Sequence, residues 1–427
     1  MTEKMHRIVI IGAGFAGLRT AIEIDRRRAR IGSCSITVID KQAEHIYTPL
    51  LYEVSAGELE KESGTCVGEL RSGACVPLDA YTNILKTSRI KFLRGEVSGI
   101  DHKKKEVKMK KGESIPFDAV VIAVGSEVAT YGIEGVKEHA LTMKTMQDAL
   151  GIRQRLFEFL QAVDHEKEKR LTVVVGGAGA TGSEFAAELS NFFERLVRHS
   201  ILRPEEYSIT LVEAGKKILG PFHPSMQKTA RRRLEKLGVK VRTETEISRV
   251  MKGSVAWKNK KTGKESVEEA DVVVWTAGIR PMTSTKQLHV PLNKEGYVEV
   301  ESTLQVKGMK NYFALGDCVF FPHPRSGARV PALAQAAVQA AKTVAENVTR
   351  QAKGKPLVPW EPPEKWLTII PLGGKYGIAD FGAFRVSGIL VYVFRKIVDL
   401  RYFLSILSVR DALRLWSNGA KVYIRND

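Results

Sequence analysis

No Cys-x-x-Cys pair occurs in this sequence, whose four cysteines, Cys34, Cys66, Cys75 and Cys318, lie scattered over 427 residues. That scatter argues against a disulfide framework, a redox-active dithiol and a cysteine–histidine metal centre, so no metal is expected. Free cysteines of this kind are most often simply buried, with a meeting of Cys66 and Cys75 in space as the alternative. Also missing is any uninterrupted apolar run of ~18 residues, which excludes a spanning helix. The segment Met1–Arg7 is short and charged and leads straight into a strand. It leaves no room for a secretory apolar region, so the cytoplasmic side is expected. Acidic residues are in deficit, with 48 Asp and Glu against 66 Lys and Arg, a net charge of +18. Aromatics are not interleaved with the basic runs Arg26–Arg28, Lys103–Lys105 and Arg231–Arg233. Without a base-stacking platform, nucleic acid is a poor partner, and the charge points to an anionic lipid surface.

What the chain does have is a repeat. An apolar strand from Arg7 enters a glycine turn and leaves as a helix with Leu18, Ala21 and Ile22 at helical spacing. A second strand, Ser35–Lys41, follows, and Phe117–Glu127 closes the unit. Strand, turn and helix begin again over Arg170–Val197, with Tyr207–Ala214 as second strand and Ala270–Met282 as closing strand. The expected fold class is α/β, with two Rossmann-like dinucleotide-binding domains, the second inserted in the first. The first domain takes residues 1–165 and 291–385, the second 166–290, and a C-terminal segment 386–427. Strands are expected at Gly296–Glu301 and Asn311–Phe321, then an alanine-rich helix from Pro331 to Thr349 and an extended connector over Pro359–Leu367.

Each copy opens on the same chemistry. In Gly12-x-Gly14-x-x-Gly17 the first glycine permits the tight turn, the second lets backbone approach a pyrophosphate, and the third lets helix pack on strand. The phosphate charge then rests on the helix N-terminus. Asp40 ends the second strand, placed to accept hydrogen bonds from a ribose. Gly177, Gly179 and Gly182 repeat the spacing, with Glu213 as the acid. A carboxylate there repels a 2′-phosphate and favours NADH over NADPH, although Lys216 and Lys217 follow closely. Two such sites in one chain predict a resident redox dinucleotide, FAD, in the first copy and the reductant NADH in the second. Gly125 and Gly278 end the closing strands of the two copies. Asp317, in Gly316-Asp317-Cys318, is placed to accept from a ribityl hydroxyl; a turn-capping aspartate is the alternative.

These residues resemble the type II NADH dehydrogenases, single-subunit NADH:quinone oxidoreductases that pump no protons. The resemblance runs from about Arg7 to beyond Arg410. Its more specific parts are His45–Glu58, Gly176–Ser190, Ala334–Ala340 and Phe394–Phe403. It implies that a hydride passes from NADH to FAD and two electrons then pass to a membrane quinone. Carried over by position, Ala334, Gln335 and Gln339 lie beside flavin and quinone, and Glu184 lies near nicotinamide and flavin; Lys396, in the tail, is a further candidate for lining the quinone opening. Without the resemblance, the two glutamines are polar positions on one face of a tightly packed helix, and Glu184 complements a helix N-terminus. Sulfide:quinone oxidoreductases are the nearest rival, but their chemistry needs a cysteine pair flanking the flavin, and no cysteine lies between Cys75 and Cys318. A redox-sensing NADH-binding flavoprotein is the third reading.

The tail changes character. From Val386 to Val409, apolar residues alternate with Arg395, Lys396 and Arg401, with Arg410 just beyond and Tyr392, Phe394, Tyr402 and Phe403 among them. That mixture suits an interfacial helix with its apolar face in lipid and basic side chains on headgroups, continued by Asp411–Ile424. A peripheral position on the cytoplasmic face of the membrane follows. A core helix or a homodimer interface has the same periodicity.

Overall fold

The central strand β1 (His6–Ile11) has four successive buried residues, as a parallel strand covered on both faces requires. The computed structural model describes residues 5–56, 75–77, 90–161 and 170–425. The first unit continues with α1 (Phe15–Arg26), β2 (Cys34–Asp40), the short α2 (Leu51–Ser55), β3 (Ile90–Arg94) and β4 (Ala119–Ile122). The second comprises β5 (Leu141–Thr142), β6 (Leu171–Gly176), α3 (Ala180–Arg198), β7 (Tyr207–Val212), β8 (Lys240–Arg242) and β9 (Val272–Trp275). The chain then returns through β10 (Tyr312–Ala314) to the first sheet.

Both sheets are five-stranded and parallel, ordered β10-β4-β1-β2-β3 and β5-β9-β6-β7-β8. The repeat therefore extends to register: Val9 sits between Thr37 and Val120 as Val174 sits between Thr210 and Val273. Helix α4 (Ala334–Ala352) packs on α1, burying Ala336, Ala337, Ala340 and Ala341, whose small side chains let the axes approach. The chain first joins the second sheet at Leu141–Thr142, ahead of the boundary at 165. A two-residue edge strand has no periodicity to reveal it. Residues 296–301 form isolated bridges rather than the expected strand, Val298 to Leu292 and Val319 and Val300 to Val306.

A small antiparallel sheet of Thr368–Pro371, Gly377–Asp380 and Arg385–Gly388 leads into α5 (Ile389–Ile406) and α6 (Val409–Arg425). Helix α5 reverses one sequence expectation. Lys396 and Asp399 are buried and the Arg395 side chain is 11% exposed, whereas Ile389, Leu390, Val393, Ile397 and Leu404 face outward, Leu390 at 76% exposure. Arg395 and Lys396 thus do not reach outward as headgroup-binding cations; Arg401 and Arg410 do. Periodicity finds an amphipathic helix but not which face has partners, and here the charged face has them. No helix among the described residues is long and apolar enough to cross a membrane.

Candidate active site

The two glycine turns are built alike. Gly12 has φ +104°, and a Cβ on it would lie 2.3 Å from the Ala123 carbonyl oxygen; one on Gly17 would strike the Gly12 carbonyl. Gly177, at φ +98°, and Gly182 meet Ala277 and the Gly177 carbonyl in the same way. Gly14 and Gly179 instead have open space where a Cβ would sit. Each is the N-cap of its helix, and neither cap makes a side-chain hydrogen bond. Backbone N–H groups at both helix starts are left for an anion.

Each turn is braced by the acid the sequence singles out. Asp40 accepts from the Ala13 N–H at 2.7 Å and from the Gln42 N–H at 2.8 Å. Glu213 accepts from the Ala178 N–H at 2.9 Å and from the Gly215 N–H at 2.8 Å. A cleft of about 1050 Å³ opens beside the second turn, lined by Gly177, Gly179, Glu213, Lys216, Lys217 and Gly278. The Tyr131 hydroxyl caps that cleft, donating to the Ala277 carbonyl at 3.2 Å. It lies 2.2 Å from where a Gly278 Cβ would stand, so Gly278→Ala displaces the ring. That variant is expected to raise KM for NADH about tenfold with little change in kcat, as loss of positioning alone predicts; steady-state kinetics at saturating acceptor checks it.

Around the first turn, Gly125 has φ +75° with free space beside it. Asp317 sits on a turn after β10, accepting from the Ser126 hydroxyl at 2.8 Å, while Lys144 donates to that hydroxyl at 2.8 Å and lies 3.5 Å from the same carboxylate. Sequence reasoning missed Ser126 and Lys144, because neither belongs to a spaced motif. On α4, Ala334 opens the helix and the exposed Gln335 donates its amide to the Leu367 carbonyl at 2.8 Å. The Gln339 Oε1 is buried without a hydrogen-bond partner among the described residues. A buried acceptor in that state wants a donor. The glycine cradle, the uncapped helix and this orphaned oxygen all fit a bound FAD.

Where the two units meet lies a cluster of ionisable side chains. Tyr47 and Arg395 both donate to Asp399 Oδ1, at 2.7 and 2.9 Å, and Arg395 also reaches the Pro49 carbonyl at 3.1 Å. Lys396 is inward, donating to Glu53 at 3.4 Å; Tyr52 donates to the same oxygen at 3.0 Å. Paired with Glu53 in this way, Lys396 lines a small pocket together with Tyr52, Tyr392 and Arg395. Burial pushes the Glu53 carboxyl up, with Lys396 opposing and Asp399 adding to the rise. Glu184, on α3, belongs to this cluster. Burial lifts its carboxyl to about 7 against the pull of Arg395, and Glu53 adds to the lift. A carboxyl titrating there exchanges its proton readily at neutral pH, as a proton donor needs. Of the cluster, only Glu184, through the family resemblance, and Lys396, in the basic tail, were singled out from the sequence as site residues.

Cys318 is buried between the carbonyls of Leu315 and Ile122, and burial pushes its thiol up to about 12. Cys34 is buried too. Cys66, the Cys75 side chain and the motif end Gly57–Glu58 lie outside the described residues.

Residues 6–341 match the pyridine nucleotide-disulphide oxidoreductase family. The chain is similar to a type II NADH:quinone oxidoreductase of Mycobacterium tuberculosis, 32% identical over 364 residues covering 82% of this chain and 72% of that one. A Staphylococcus saprophyticus protein of the same description is 27% identical over 94% of this chain and 96% of its own length. Among solved structures, NDH2 of Plasmodium falciparum in complex with NADH superposes with a TM-score of 0.82 over 98% of both chains, at 19% identity. At that identity the likeness establishes the fold.

Proposed function

The chain belongs to the pyridine nucleotide-disulphide oxidoreductase family and, within it, to the type II NADH:quinone oxidoreductases, and from that premise we propose that it passes a hydride from NADH to FAD and two electrons onward to a membrane quinone. The observation that carries this reading is the presence of two uncapped helix N-termini, each with its own glycine cradle and bracing carboxylate. Bound FAD supplies the two-electron redox chemistry between the two substrates.

The chain's own residues divide the remaining work. Gly12, Gly14, Gly17 and Asp40 hold the resident dinucleotide's phosphates and ribose, with Gly125, Asp317 and the α4 residues Ala334, Gln335 and Gln339 completing the site. Gly177, Gly179, Gly182, Glu213 and Gly278 receive NADH. Glu184 holds a proton at its carboxyl and delivers it during quinone reduction, and Gln335 and Gln339 border the quinone. Lys396 serves from within, fixing Glu53 beside Glu184. In domain terms, 1–165 with 291–385 serve FAD and 166–290 serve NADH, except that Leu141–Thr142 already belongs to the second sheet. Sulfide oxidation has little support: a buried thiol pushed up to about 12 is a poor nucleophile. Steady-state oxidation of NADH with a water-soluble quinone should exceed that of NADPH at least about tenfold, Glu213 being the discriminating acid. Equal rates, or turnover driven by sulfide, would contradict the reading; slow turnover with every acceptor would favour a redox sensor.

The outward apolar face of α5 supports a peripheral seat on an anionic membrane, with the exposed Arg401 and Arg410 beside it. On this reading the protein works from the cytoplasmic face. Replacing Leu390, Val393 and Ile397 together by Asp removes about 1.5–3 kcal/mol of apolar burial per side chain. The triple variant is expected to stop sedimenting with anionic phospholipid vesicles while keeping soluble-quinone turnover within about twofold, since none of the three faces the ionisable cluster. Unchanged sedimentation would contradict the lipid assignment, and a dimer dissociating to monomers would make this face a homodimer interface.

A further inference from the structure

We infer that helix α5 latches the phosphate loop of the FAD site through Tyr402 and His45, which makes His45 a positioning residue for that cofactor. The inference rests on the reading that Gly12 to Asp40 hold FAD. Its starting point is a single peptide group, the one joining Ala13 to Gly14. In a planar trans peptide the C=O and the following N–H point in opposite directions. Whatever grips the Ala13 carbonyl therefore aims the Gly14 N–H the other way. That N–H belongs to the N-cap of α1, where a pyrophosphate binds.

The grip comes from His45, 1% exposed, whose Nδ1 lies 3.0 Å from the Ala13 carbonyl oxygen. A carbonyl only accepts, so Nδ1 carries the proton and Nε2 is left to accept. The Tyr402 hydroxyl donates to it at 2.7 Å. Burial lowers His45 to about 4, so the ring stays neutral and in this tautomer at neutral pH. Tyr402 is on α5, so the chain of bonds runs from that helix to the cofactor loop. Other contacts follow the same route. Phe15, the first residue of α1, packs edge-on against His45 at 5.1 Å and at a tilt against Tyr402 at 5.0 Å. Arg19, on the next turn of α1, donates to the Ser405 carbonyl of α5 at 3.1 Å.

The second copy is an internal control. Its equivalent peptide starts at Ala178, and the Ala178 carbonyl accepts from the Leu219 backbone N–H at 2.8 Å. The NADH loop is thus braced by backbone within its own unit. The FAD loop, otherwise its match down to the bracing carboxylate, depends on a side chain whose orientation is set by helix α5. One consequence is that the same helix offers its apolar face outward and its inward face to the cofactor loop.

The test is release of FAD from purified flavin-loaded protein after dilution, followed by flavin fluorescence. Tyr402→Phe removes one hydroxyl and keeps the ring stacking; His45→Phe removes both polar atoms. Release should quicken about tenfold in the first and about a hundredfold in the second, as unsatisfied buried polar groups predict. The double variant should release no faster than His45→Phe alone, because Tyr402 acts through His45. NADH affinity should stay within about twofold in all three, since the Ala178 brace is untouched. Wild-type release rates in the variants would overturn the latch. So would additive effects in the double variant, or FAD and NADH affinity falling together, which would mark general loosening. A wild-type protein that holds no FAD would instead remove the reading on which the latch rests.

Discussion

Glu184→Gln is expected to lower quinone-dependent NADH oxidation about a hundredfold, the usual scale for losing a general acid, and to make the protein more stable at alkaline pH. Both effects have one cause. Burial raises the Glu184 carboxyl to about 7 from an ordinary value of 4.5. The native state therefore binds the proton more tightly than the unfolded chain does. Between those two values the unfolded state holds fewer protons, so this group's contribution to stability falls as pH rises, and above about 7 the loss is complete. Glutamine has no charge to desolvate. The variant should gain about 1–3 kcal/mol over wild type at pH 8 and nothing near pH 4. Denaturant titrations at the two pH values measure the stability difference. The wild-type rate of quinone reduction should decline as pH rises through about 7, and in the variant this step in the profile should vanish. A variant with unchanged turnover would leave Glu184 as a helix-terminus charge and nothing more.

Arg395→Met carries the second large effect. The arginine donates to Asp399 at 2.9 Å, and the two side chains are 11% and 2% exposed. Removing the cation leaves Asp399 buried with Tyr47 as its remaining donor. Breaking one side of a buried pair costs about 3–5 kcal/mol, whereas replacing both sides by apolar groups is often neutral. Arg395→Met should therefore be strongly destabilising, and the double variant with Asp399→Leu should recover most of the loss in chemical denaturation. Arg395 also restrains Glu184, so its removal should move the titration of quinone reduction above about 7. An unshifted profile would separate the two residues.

The contrast between these residues and the glycines marks where sequence reading reaches. Gly12, Gly17, Gly177 and Gly182 were legible because strain and close approach leave glycine no substitute, and their spacing is fixed by one local turn. Asp40 and Glu213 were legible for the same reason, since the first ends, and the second directly follows, the strand adjoining its loop. The doubled parallel sheet followed from two copies of one strand–turn–helix unit. The ionisable cluster is different. Tyr47, Glu53, Glu184, Arg395 and Asp399 come from distant segments, and only packing brings them together. Arg395 and Lys396 even read as outward cations, because an apolar face against lipid and an apolar face against core have the same period. His45 lay inside a motif attributed as a whole to the family resemblance, and its link to Ala13 spans 32 positions. Lys144 and Ser126 lie in no motif, and their tie to Asp317 exists only in three dimensions.

Anaerobic mixing of flavin-loaded protein with NADH, followed by a second mix with quinone, measures the hydride path itself. Absorbance near the flavin maximum should bleach rapidly with NADH, more slowly with NADPH and not at all with sulfide, then return when quinone is added. Absorbance that NADH leaves unbleached, or that quinone does not restore, would contradict an NADH:quinone oxidoreductase.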